Sequence, residues 1–126
     1  MGPAASVHCS IPDWARFAAL HMAAVRGKSR LLKASTFRAL HTPPTGFDYA
    51  GGWVVCQRTW AGGRAFTHNG SNTAWYATVW LAPALNLGFL AVTNQGDKVA
   101  EKANDDAIVA LIRARESLPG STAGQP

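Results

Sequence analysis

Charge is scarce in this chain. Of its 126 residues only 15% are Asp, Glu, Lys or Arg, while 48% are hydrophobic; an average globular protein carries about 25% charged residues. Intrinsic disorder needs the reverse balance and is excluded for most of the chain. Cysteine is nearly missing too. Cys9 and Cys56 are the only two, which rules out a disulfide-rich scaffold, and sequence leaves open whether they are free or paired. They form no C-x-x-C pair, and only the adjacent His8 accompanies them, so no metal site is expected. No window approaches ~18 uninterrupted apolar residues, so no membrane span is expected. Residues 1–10 lack a basic start followed by an apolar run, and no signal peptide is read there. No internal repeat is visible. What remains is long enough for one domain with a real core.

The charge that is present is unbalanced, at +5 formally, with a pI near 9.8. A basic domain raises the question of nucleic acid. Phosphate tracking needs a stripe of Lys and Arg, whereas here the charges are scattered. The densest set, Arg26, Lys28, Arg30 and Lys33, sits around one expected loop and reads as a solvated surface. The tryptophans fall beside aliphatic residues, in the pattern of a core rather than of base-stacking platforms. No nucleic-acid partner is expected.

Residues 10–26 read as a helix. Ser10 and Asp13 have capping-box spacing, Pro12 is tolerated in the first turn, and Gly27 is a stop. Its apolar face is Trp14, Phe17, Ala18, His21, Ala24 and Val25, with His21 expected as a packed, hydrogen-bonded side chain. A second short helix is expected around 35–41, ended by Pro43 and Pro44. Residues 49–60, 64–69, 73–82 and 86–94 are rich in aromatic and β-branched residues. Short turns at 61–63, 70–72 and 83–85 separate them, which predicts an antiparallel meander of three or four strands. The run 87–92 is almost wholly apolar and must be covered on both faces. Residues 97–115 read as the last helix, with Asp97 as cap and a stripe of Ala100, Ala103, Ala107, Ile108, Leu111 and Ile112. The fold class is thus α+β: a meander, a C-terminal helix on one face and short N-terminal helices. Those N-terminal helices look small for the second face, so an added segment or self-association is expected to cover it.

Of the four histidines, only His68 has a suggestive setting. It closes a strand in Thr67-His68-Asn69-Gly70-Ser71-Asn72, where Gly70 allows close approach to the backbone. The surrounding run is an aromatic-Gly-Trp strand (Tyr49, Gly51, Gly52, Trp53), then His-x-Gly, then a strand ending at Pro83 and one closing with Thr93-Asn94. It resembles the C-terminal part of the serine β-lactamase-like hydrolases: class C β-lactamases, D-alanyl-D-alanine peptidases and related esterases. Upstream, 7–17 resembles the helix start that precedes this region in the family. The resemblance runs to about Arg115, so 1–115 would be a segment of such a domain, with a partial β-lactamase/transpeptidase-like fold, and 116–126 a flexible tail.

These enzymes use Ser-x-x-Lys, a second Ser- or Tyr-bearing motif and Lys-Thr-Gly; His68-Asn69-Gly70 resembles the variant with His in place of that Lys. The resemblance implies that His68 offers a hydrogen bond or charge to the substrate, that Gly70 keeps the strand edge open, and that Ser71 N–H is an oxyanion donor. Asn69 and Asn72 would contact substrate, a small amide or ester. No cofactor is implied. The departures are equally definite. No Ser is followed by Lys three residues later, and neither Tyr49 nor Tyr76 begins Tyr-x-Asn or Tyr-x-Ser. A serine without a positioned base is a poor nucleophile, so the chain is expected to be inactive alone. The alternative is a non-catalytic interaction domain in which His-x-Gly is a relic. The compartment is not legible; family members are often exported.

Overall fold

The computed structural model describes residues 6–29 and 31–118. Helix α1 spans Ile11–Val25. Ser10 caps it, accepting the Asp13 N–H at 3.2 Å. It ends as sequence suggests: Gly27 takes φ +68, and the amides of Gly27 and Lys28 bond the carbonyls of Ala24 and Ala23 at 3.0 and 2.8 Å. That crossed pair is a Schellman motif, which needs the left-handed residue. Helix α2 spans Ala34–Leu40.

Five strands follow in one antiparallel sheet of order β1-β2-β3-β4-β5: Tyr49–Ala50, Trp53–Arg58, Gly63–Ser71, Tyr76–Ala82 and Leu87–Thr93. The meander therefore has one strand more than the largest count expected. The stretch read as a single strand over 49–60 folds back on itself at Gly51-Gly52, whose φ values are +56 and +92, the primed geometry that matches strand twist. A methyl on Gly51 would also sit 2.7 Å from the Leu40 carbonyl oxygen. The turn expected at 70–72 shifts as well. β3 runs on through Ser71, and the loop is 72–75, closed by Asn72 N–H to Trp75 O at 3.2 Å.

Alternation along the strands gives the sheet two faces. Phe66, Val79, Leu81 and Leu90 share one, packed with Trp53 and with Ala18 and Met22 of α1. Tyr76, Thr78 and Thr93 share the other, under helix α3, Lys98–Glu116. Asp97 caps α3 through the Val99 and Ala100 amides, both at 3.0 Å. The buried stripe of α3 is Ala100, Asn104 and Ile108, whereas Ala103, Ala107 and Leu111 are exposed. The alanine-rich pattern left the facing edge ambiguous. Asn104 is accommodated because its amide donates to Thr93 Oγ1 and Ala100 O, both at 2.9 Å. Both faces of β4 and β5 thus carry a helix. A second cluster, Ala61, Ala65 and Ala82 with Trp60, Trp80 and Leu87, closes the far end of the sheet. Of the expected tail, 119–126 lie outside the described residues, as does Arg30.

Candidate functional site

The pairing of β3 is asymmetric along its length. Its bonds to β2 stop at Val54↔Thr67, while its bonds to β4 continue to Ser71↔Tyr76. Among the described residues, one side of β3 over 68–71 is therefore an open sheet edge, with backbone N–H and C=O groups available to another chain or a ligand. A ligand lying along that edge would meet the His-x-Gly residues.

Alternation divides them. His68 and Gly70 share the face of Phe66, and Asn69 and Ser71 the opposite one. His68 is exposed, and its ring lies 6.2 Å from that of Tyr49. Gly70 has nothing within 4 Å of where a side chain would start, and no positive φ. Neither packing nor backbone conformation among the described residues demands glycine there. Ser71 Oγ donates to Gly96 O at 2.7 Å and accepts the Thr73 N–H at 3.0 Å. That hydroxyl is engaged and lies on the face away from His68, so His68 cannot serve it as a base. Asn69 donates through Nδ2 to Tyr76 Oη at 2.8 Å, leaving its Oδ1 available. Asn72 Oδ1 accepts the Ala74 and Trp75 amides at 3.2 and 2.8 Å, so this side chain builds the loop. Thr73 sits there at φ +76, a costly conformation for a β-branched residue. Gly96 packs against it: an added Cβ would meet Thr73 C and O and Ser71 Oγ at 2.5 Å. The loop after the motif is thus held from behind by the segment leading into α3.

Sequence reasoning passed over His41. His21 and His41 are both buried, with His21 Nδ1 and His41 Nε2 2.8 Å apart. Phe37, Trp53 and Phe66 surround them, Phe66 stacked on His41 with centroids 4.4 Å apart. Burial holds both below the ordinary histidine range, His41 at about 4, where His21 and Arg64 add to the effect. The pair is neutral at pH 7, one ring donating to the other. His21 was legible as a packed residue; its partner, twenty residues on at the C-cap of α2, had no local signal. Cys9 is exposed, Cys56 half-buried, and both are free. Among the described residues no group of His, Cys, Asp or Glu could hold a metal ion, and no helix is long and apolar enough to cross a membrane.

The α+β arrangement of an antiparallel sheet flanked by helices is consistent with part of a β-lactamase-like fold. The Beta-lactamase family model matches residues 1–114, and the chain belongs to that family. Neither a curated protein nor a solved structure matches it.

Proposed function

We propose that these residues form the C-terminal wall of the active site of a β-lactamase-related serine hydrolase, which opens a β-lactam, peptide or ester through an acyl-serine. The nucleophile with its Ser-x-x-Lys partner, and the second motif, would come from a segment not among these 126 residues. The observation that carries the reading is the open edge of β3 over 68–71, with Gly70 facing empty space. A substrate amide or ester would lie along this edge as an added strand. The Ser71 N–H would donate to the oxyanion as the tetrahedral intermediate forms. Such a donor acts on charge absent from the ground state, and losing one costs on the order of 100- to 1000-fold in rate. His68 would reach the substrate from the face it shares with Gly70, and Asn69 Oδ1 and the loop at Asn72 would bound the site. The outer edge of β5, seven residues that among the described residues pair with β4 alone, would receive a further strand of the same domain.

The test has two stages. The 126-residue chain alone, incubated with a fluorescent penicillin and with an acyl-serine probe, should form no covalent adduct. Joined to a segment carrying Ser-x-x-Lys and Tyr-x-Asn, it should acylate, and His68→Ala should then slow turnover of a chromogenic ester by ~100- to 10,000-fold if His68 moves a proton. An adduct on any serine of the isolated chain, mapped by mass spectrometry, would overturn the reading. Strand pairing without acylation in the joined protein would favour the non-catalytic interaction domain.

A further inference from the structure

A cleft of about 300 Å³ opens between the end of α1, helix α2 and β3, on the face of the sheet that holds α1. Its exposed apolar lining is Val25 and Ala34, over the buried Phe37 and Phe66, and its polar lining includes Arg38, Arg64 and His41. The volume matches the lower end of small-molecule sites. Arg64 lies four residues before His68 on β3, about 13 Å along a strand at ~3.3 Å per residue, and the buried Phe66 lies between them. The cleft is thus separate from the open edge.

Its charge is uncompensated. Asp48 is the only acidic residue between Asp13 and Asp97, a span that carries most of the arginines and lysines. No Asp or Glu lines the cleft. The ion pairs Arg16–Asp13, Lys98–Glu101 and Lys102–Asp106 involve none of the cleft's residues. Arg26 and Arg58 are engaged elsewhere, by Asn86 and by the Trp80 ring. Among the described residues Arg38 and Arg64 donate no side-chain hydrogen bond, although a guanidinium presents five donors. His41 keeps Nδ1 without a partner, since only its Nε2 meets His21. If His21 donates across that contact, the neutral His41 must carry its proton on Nδ1, a third donor that adds no charge.

We propose that this cleft binds a small amphipathic anion, a carboxylate with an aryl or branched apolar body. Arg38 and Arg64 take the carboxylate, which the planar guanidinium fork matches with paired bonds. The body rests on Val25 and Ala34, above the buried Phe37 and Phe66. The proposal uses neither His68 nor Ser71 and stands or falls independently of the hydrolase reading.

The test is an NMR titration of the 126-residue chain with sodium phenylacetate at pH 7 and low salt, followed at the His41 ring and the Arg38 and Arg64 amides. Saturable shifts at these positions are expected. Arg38→Gln and Arg64→Gln, both at exposed positions, should each weaken binding about tenfold, the range of one charge-assisted contact. Arg113→Gln, on α3, should leave it unchanged. Phenylethanol, the neutral analogue, and inorganic phosphate, the bare anion, should both bind at least tenfold more weakly. Absence of saturation by ~20 mM overturns the proposal. So does phenylethanol or phosphate binding as tightly as phenylacetate, since one removes the arginines' role and the other the apolar lining's. An equal loss in Arg113→Gln overturns it too, by reducing the effect to overall charge.

Discussion

Acidification should destabilise this domain, because of the two histidines buried against each other. An unfolded histidine titrates near 6.5, whereas His41 in the fold titrates at about 4. The folded pKa is depressed, so the neutral form is the one the fold accommodates. Its contribution is complete above pH 6.5 and is lost as the pH falls from there towards 4, the window in which only the unfolded chain takes up the proton. The full depression is worth about 3 kcal/mol at 1.36 kcal/mol per unit. Solvent reaching His41 through the cleft trims that, and about 2 kcal/mol should go between pH 7 and pH 4.5. His21 is shifted in the same direction and adds to the loss. The two sites are coupled, so the pair and not either ring is what a titration reports. Asp97, held below the ordinary carboxylate value chiefly by the Ala100 amide, loses its contribution only at still lower pH. Urea denaturation at pH 7.0, 6.0, 5.0 and 4.5 measures the slope directly. His41→Gln retains an amide that can bond His21 but cannot titrate; it should be less stable at pH 7 and show a flatter profile. An unchanged free energy of unfolding across this range, or the same slope in His41→Gln, would refute the account.

Other perturbations test the frame around the site. Gly96→Ala places a carbon 2.5 Å from the Thr73 backbone and Ser71 Oγ; overpacking of this kind costs about 1–3 kcal/mol. The melting temperature should fall by several degrees, and exchange of the amides at 71–75 should speed up. An unaltered melt would mean the 72–75 loop is not held by this contact. Ser10→Ala removes the acceptor for the Asp13 amide and should cost about 1 kcal/mol in chemical denaturation, with Ser10→Asn restoring most of it.

Local chemistry was enough to locate the helices. Ser10, Gly27 and Asp97 each satisfy or release backbone groups within a turn of themselves, so α1 begins and ends, and α3 begins, where their caps stand. Period-two patterning likewise placed most of β3, β4 and β5. Resemblance to the serine β-lactamase-like hydrolases was read from His68, Gly70 and the flanking aromatic and Asn residues, and the family match over residues 1–114 agrees with the family reading. The hairpin at Gly51-Gly52 was misread as one continuous strand. Two adjacent glycines permit a primed turn but do not require it, and the close approach of Leu40 to Gly51 is a tertiary contact. The facing edge of α3 was misread for a related reason: alanine packs or stays exposed at little cost, so the stripe is chosen by what Asn104 can reach on β5.

Sequence by itself determined the α+β class, the caps of α1 and the start of α3, the antiparallel succession of β2 to β5 and the motif, because each rests on interactions between residues near one another in the chain. Only the tertiary structure decided that β2 stops pairing at Thr67 and leaves 68–71 open, that His21 meets His41, and that Arg38 and Arg64 share a cleft. Those depend on register and on the packing of α1 and α2 against the sheet, where residues distant in the chain are set by the geometry of the whole.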